Sequence, residues 1–241
     1  MVINASPMSI TCGKHNSILE VYKPIMIPTV PGVLTPALTE LVINQFPEQM
    51  DIEGFHPNEG GLLYRLDNET SGLVLFATDQ ATFDQFQQDS QNKRIKKHYL
   101  AYVEGILPQY SGVIEYPIAH HPRSKKKMVI QKEHNQQKRG EWRPAQTYFR
   151  VISTDKTSCS WIHLMIYQGA RHQIRVHCAA IGHPLVGDSL YNTTASNAQP
   201  FQLRCQAIEW TNKKMTFSLT DLALTAEEKN DFPVLPSLTI G

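Results

Sequence analysis

From residue 72 to 77 the chain reads Gly-Leu-Val-Leu-Phe-Ala, without one polar side chain. A continuous apolar run of that length predicts a buried strand. Thr78 or Asp79 can cap a following helix, whose Phe83 and Phe86 fall on one side. Residues 99–103 return to a strand. Residues 145–152 and 161–166 alternate their side chains in period two around a polar Ser-Thr-Asp-Lys-Thr-Ser turn, which predicts a hairpin. Residues 173–181 have helical spacing, with Ile174, Cys178 and Ile181 on an inner stripe and Gly182 placed as a stop. Residues 207–210 and 215–219 flank Asn212-Lys213-Lys214 and predict a second hairpin.

Residues 1–59 mix short apolar runs with many prolines, among them Pro24, Pro28, Pro31, Pro47 and Pro57, so a loop-rich segment with one helix over 36–46 is expected there. Strands and helices together, with several hairpins, indicate an α+β fold: a mixed, largely antiparallel central sheet flanked by helices. No linker, repeat or low-complexity stretch divides the sequence, and a single domain over residues 1–241 is expected.

The composition changes this picture little. With 41% hydrophobic and 19% charged residues in 241, a sizeable core is expected. The formal charge of +1 gives no global case for nucleic-acid binding, but a whole-chain balance hides local patches. Cys12, Cys159, Cys178 and Cys205 are widely separated and never form a CxxC pair, which disfavours a zinc site or a disulfide framework and suits a reducing compartment. No apolar run approaches the ~20 residues needed to span a bilayer. A cytoplasmic protein without a membrane partner is expected.

Three stretches carry candidate chemistry. Asp67 lies on a polar loop between two apolar runs, where catalytic side chains concentrate. Residues 96–105 run from a basic cluster into a strand led by Tyr99. Residues 169–177 hold Arg171 and Arg175 one turn apart, on one face if the helix starts near Arg171, with a first turn that favours anions. Each has a bland reading alone: Asp67 as a turn former, Tyr99 as a satisfied core phenol, Arg175 as a surface helix residue. Their joint occurrence is what points to a site.

The sequence resembles an RluA-type pseudouridine synthase. The family pattern His-Arg-Leu-Asp-x-x-Thr-Ser-Gly is matched from Tyr64 to Gly72, with Tyr64 replacing His. Lys-x-Tyr-x-Ala-x-Val-x-Gly is matched by Lys97, Tyr99, Ala101, Val103 and Gly105. The arginine-histidine pattern appears from Gly169 to His177, Gly-His-Pro-Leu-x-Gly-Asp from Gly182 to Asp188, and the early Lys-Pro element at Lys23-Pro24. The match covers about residues 18–220. Ala170 stands where the family usually has Arg, Arg171 where it has Thr or Ser, and the C-terminal Leu-His-Ala is altered at Leu203 to Ala207.

The resemblance implies an enzyme that isomerises uridine in structured ribosomal or transfer RNA, with neither metal nor cofactor, no obligate protein partner and no separate N-terminal RNA-binding domain. It makes Asp67, Tyr99 and Arg175 the catalytic candidates. Asp67 acts as nucleophile at C1′ or as a base near the sugar. A neighbouring arginine lowers a carboxylate pKa by roughly one to three units, so Asp67 beside Arg175 is expected to be ionised. Arg65 is the candidate to brace the stack that a flipped uridine vacates. Lys97, Arg171 and His172 are expected RNA contacts, and so is the run Lys125, Lys126 and Lys127 within a polar loop from His120 to Arg143. His120-His121 lacks a third metal ligand at sensible spacing. Two other readings compete: an RNA-binding protein of the same fold with weakened catalysis, and a glycoside hydrolase, for which only Glu69 offers a second nearby carboxylate.

Overall fold

The computed structural model describes residues 10–32, 36–134, 136–156, 158–193 and 199–222. The apolar run is β3 (Ser71–Ala77), buried along its whole length, as is its antiparallel partner β2 (Ile18–Lys23). Strands covered on both faces lose the polar alternation of an exposed sheet. An edge strand, β1 (Cys12–His15), extends the pair.

Asp79 caps α2 (Gln80–Gln91) by accepting from the Thr82 amide at 2.8 Å, which satisfies one of the free donors of the first turn. The helix buries Phe83 and Phe86, as the sequence predicts, and Phe86 meets Trp210 edge-on at 5.1 Å. Next come β4 (Ile95–Glu104), β5 (Ser111–Ile114), β6 (Ile118–His120), β7 (Met128–Ile130), β8 (Arg139–Arg143), β9 (Thr147–Thr154), β10 (Cys159–Ile166), β11 (Leu203–Trp210) and β12 (Met215–Ser218). The main sheet runs β1-β2-β3-β11-β4-β10-β9-β5, with β12 also on β11. Only β3 and β11 are parallel among these pairs. Both predicted hairpins form, as β9–β10 and β11–β12. The fold is α+β around a mixed, largely antiparallel sheet.

Two parts differ from expectation. The proline-rich segment holds its helix, α1 (Leu38–Gln45), but also the whole of β1 and β2. The stretch expected as one polar loop is a second sheet, ordered β7-β6-β8. Its strands have three to five residues; Ile118, Ala119, Met128 and Ile130 are buried, and Ile118, Met128 and Ile130 pack against Val176. Strands that short cannot reveal a period of two.

The third helix, α3 (Gln173–Ala180), packs on β9 and β7. Ile174 and Cys178 are buried as expected, and Ile181 follows just before Gly182, whose φ of +85° ends the helix. Gln173 fastens the first turn: its Oε1 accepts from Ala170 N, and its Nε2 donates to Gln146 O and Thr147 Oγ1. His177 bonds Thr147 Oγ1 and Tyr116 O on either side of its ring. Among the described residues no helix is long and apolar enough to cross a membrane.

One glycine decides whether the sheet closes. Gly72 has a φ of +121°, and a Cβ there would stand 2.2 Å from the Cys205 carbonyl oxygen. The parallel strands β3 and β11 meet at this point. Gly72→Ala is expected to cost about 3 kcal/mol or more, because backbone rather than a flexible side chain must yield. The check is the urea midpoint; a midpoint equal to wild type would show that the strands can part without penalty.

Candidate active site

Asp67 opens a tight turn at the mouth of β3, closed by Thr70 N donating to Asp67 O at 3.0 Å. Lys23, at the end of β2, holds this turn from beneath. Its fully buried Nζ donates to Pro24 O at 2.9 Å, Ile27 O at 2.7 Å and Asn68 O at 3.1 Å. Three acceptors take all three ammonium protons. Burial pulls Lys23 down to about 7, and Asp67 and Glu69 oppose that pull. Just before the turn, Thr29 Oγ1 bonds both the carbonyl and the amide of Leu66, at 2.8 and 3.1 Å. The Lys-Pro element thus fixes the loop bearing the carboxylate, a role the sequence alone left unassigned.

The expectation for the carboxyl itself is corrected. Asp67 is pushed up from 3.8 to about 6, not down, because loss of hydration outweighs its neighbours. Its side chain keeps 27% of its surface open. Arg175 lowers it, Glu69 raises it, and Arg171 and Lys23 lower it again. These cations act at range.

The fork of Arg175 is spent elsewhere, which is the second correction. Nε and Nη2 each donate to Asp188 at 2.8 Å, and Nη1 reaches Glu69 at 3.3 Å. Among the described residues no hydrogen bond joins Arg175 to Asp67. Nor do Arg171 and Arg175 share a helix face. The helix begins at Gln173, His172 before it adopts a left-handed φ of 54°, Arg171 is exposed and Arg175 is 1% exposed. Arg171 instead turns to the small sheet, where Nη1 donates to Lys125 O at 3.2 Å.

Tyr99, on β4, is buried with Tyr64, Lys97 and Cys205. Burial holds its phenol well above the usual 10, and Cys205 and Asp67 add to the rise. Lys97 is not on the surface where a phosphate contact was expected. It is 8% exposed, its ammonium lies 4.4 Å from the centre of the Tyr64 ring, and burial pulls it down to about 8. Tyr64 donates to Leu73 O at 2.9 Å, which seats the residue standing in for the family's histidine. Arg65 is half-exposed and paired with buried Glu59.

His172 lies 4.0 Å from Asp67, Nε2 to Oδ1. Burial, then Arg175 and Arg171, push it down to about 3, so the RNA contact expected of it would be made by a neutral ring. Lys125 and Lys126 are exposed and Lys127 partly so, on the turn between β6 and β7. His121 Nδ1 accepts from Arg123 N and Ser124 N, both at 3.1 Å, and organises that turn. Lys132, two residues past β7, donates to Ala180 O at 2.8 Å, at the carbonyl end of α3.

The sequence missed the partners: Asp188 for Arg175, Glu69 as the second carboxylate on that cation, and Tyr191, which packs 5.5 Å from the guanidinium. Asp188 stood in a quoted motif, the one available signal. Tyr191 had none.

The family model described as RNA pseudouridylate synthase matches residues 17–180. Ribosomal large subunit pseudouridine synthase D of Nitrosomonas europaea is 35% identical over 159 residues, 66% of this chain and 42% of its own length. The dual-specificity RNA pseudouridine synthase RluA of Yersinia pestis is 30% identical over 198 residues, 80% of this chain and 86% of its own. The chain spans about half the length of the first curated relatives it matches, 42%, 50% and 51% of them. Human RNA Pseudouridylate Synthase Domain Containing 1 has a likeness of fold, with a TM-score of 0.68 at 23% identity over 88% of this chain and 81% of that one. The chain belongs to the RNA pseudouridylate synthase family, as a member of its RluA type.

Proposed function

We propose that this chain isomerises uridine to pseudouridine in structured ribosomal or transfer RNA, with Asp67 as the catalytic carboxylate. The observation that carries this reading is the state of Asp67: a carboxyl on a clamped turn, raised to about 6 by its surroundings yet ionised at neutral pH, beside the buried phenol of Tyr99.

The reaction breaks C1′–N1, turns the freed uracil and joins C5 to C1′. A proton leaves C5 and one is returned to N1, so the change is redox-neutral. Asp67 acts as nucleophile at C1′ or as base near the sugar, and either role needs the ionised form. Because Tyr99 holds its proton so firmly, its role is a face and a hydroxyl against the uracil rather than a phenolate base. Arg175, locked on Asp188 and Glu69, supplies positive potential to the site.

A uridine within a helix must be flipped out, at a cost of a few kcal/mol. Arg65 is half-exposed beside the Asp67 turn and braces the vacated stack. The Lys125–Lys127 turn, with exposed Arg123, Arg139 and Arg143, forms the phosphate track, and Arg171 connects that track to the start of α3.

Asp67→Asn is expected to abolish tritium release from C5-labelled ribosomal and transfer RNA in single turnover while RNA affinity persists. Residual activity within about tenfold of wild type, only ~1.4 kcal/mol of barrier, would defeat the assignment. The alternative, an RNA-binding protein with weakened catalysis, requires wild type itself to release little tritium.

The rate of wild type is expected to rise between pH 5 and 7 with an inflection near 6, where Asp67 loses its proton. A raised carboxyl pKa means the folded state holds this proton more tightly than the unfolded chain. Stability from this group is therefore present below 3.8 and lost as pH rises through about 6. Asp67→Asn then raises the melting temperature at pH 8 and gains little at pH 4. A flat rate profile from pH 5 to 7, or a lower Tm for the variant at pH 8, counts against the desolvated carboxyl.

Replacing Lys125, Lys126 and Lys127 with alanine is expected to weaken RNA binding and flatten its salt dependence, since each lost phosphate contact removes counterion release. An unchanged slope of log K against log salt returns the run to an ordinary solvated turn.

A further inference from the structure

His172 and Tyr191 form a chain that the proposed reaction has not yet used. Tyr191 Oη stands 2.9 Å from His172 Nδ1 and receives the Met128 N–H at 2.8 Å. Met128 opens β7, directly after the Lys125–Lys127 turn. The Tyr191 ring meets His172 edge-on at 5.7 Å and carries the Arg175 guanidinium at 5.5 Å. One aromatic side chain therefore touches the buried arginine, the histidine facing Asp67 and the backbone of the strand that follows the basic turn.

The tautomer of the ring sets the direction of this chain, and one of the two directions gives the hydroxyl proton a partner. A phenol has one proton to give and lone pairs to receive with. The Met128 amide occupies one acceptor position, and the neighbouring ring nitrogen is the acceptor within reach of the hydroxyl proton. If Nδ1 accepts, the proton of a neutral imidazole must be on Nε2. That nitrogen is the one 4.0 Å from Asp67 Oδ1. The gap is about 1 Å too long for a direct hydrogen bond. It suits two groups that close on a common guest.

We propose that Tyr191 is a positioning residue that fixes His172 as a neutral Nε2–H donor, and that this donor binds an oxygen of the uridine held beside Asp67. A neutral donor orients the nucleotide without pairing with Asp67 as a cation would. The left-handed backbone at His172, sterically unfavourable for an L-residue, turns the ring into this position, and the Tyr191 contact holds it. Through Met128, the placement of the donor is also tied to the strand that follows the basic turn. The proposal rests on the reading of Asp67 as the catalytic carboxylate.

The test uses the full chain and needs no variant for its first arm. Nitrogen-15 NMR of histidine-labelled wild type is expected to show His172 neutral from pH 5 to 8, with Nδ1 unprotonated and Nε2 protonated. Tyr191→Phe keeps the ring against Arg175 but removes the hydroxyl, so the two tautomers should mix. With C5-tritiated ribosomal and transfer RNA from cells lacking this gene, that variant should lose about tenfold in kcat with KM within about twofold, the scale of one lost hydrogen bond. His172→Gln, which retains an N–H donor, should keep more activity than His172→Leu. A wild-type ring protonated on Nδ1 overturns the proposal, as does Tyr191→Phe turning over at the wild-type rate. If Asp67→Asn stays active while the tautomer is as stated, the reading of Asp67 fails and the assignment of Tyr191 and the ring proton stands.

Discussion

The ion pair between Arg175 and Asp188 is the constraint on which the site depends. Both side chains are withdrawn from water, 1% and 0% exposed, and such a pair survives only when its donors and acceptors are well used. Asp188 Oδ1 takes Arg175 Nη2 and the amides of Leu190 and Tyr191, while Oδ2 takes Nε. Removing one partner of such a pair strands a buried charge, at about 3–5 kcal/mol. The bond pins α3 to the segment after Gly182. It leaves Arg175 one nitrogen for Glu69 and two aromatic neighbours, Tyr191 and Phe201.

With the arginine immobilised, Asp67 feels a fixed field. A direct fork from Arg175 would have held the carboxylate deep in its ionised range and blunted it as a nucleophile or base. Distance lets desolvation win instead, so the carboxyl is ionised at neutral pH but remains basic. Lys23 contributes by geometry more than by charge, since its protons are committed to three carbonyls of the loop.

Much of the frame was legible because its signals are local. The β3 run, the Asp79 cap with Phe83 and Phe86, and the stop at Gly182 each depend on neighbours within a few residues. What could not be read depends on distant pairing. β2 is masked by the prolines around it, and the small sheet has strands too short for a period and a face open to solvent. In the site, Asp67, Tyr99 and Arg175 are neighbours in one electrostatic environment, as their motifs suggested. The partner of each was hidden. Nothing in the spacing of Arg171 and Arg175 announces that His172 turns left-handed, and that one residue separates an exposed arginine from a buried one.

The contact at Gly72 and Cys205 has a consequence in time. The two residues are about 130 positions apart in the chain, yet β3 cannot complete its pairing until β11 arrives. Closing so long a loop is entropically slow, and strand pairings at such separation form late. On a ribosome, the Asp67 turn would leave the exit tunnel many seconds before the strand that completes the start of β3, at about 5–20 residues per second. Until then Ser71 and Gly72 lack their β11 neighbour, while β2 pairs the opposite edge of β3 and Gly61 to Leu63 bond its far end.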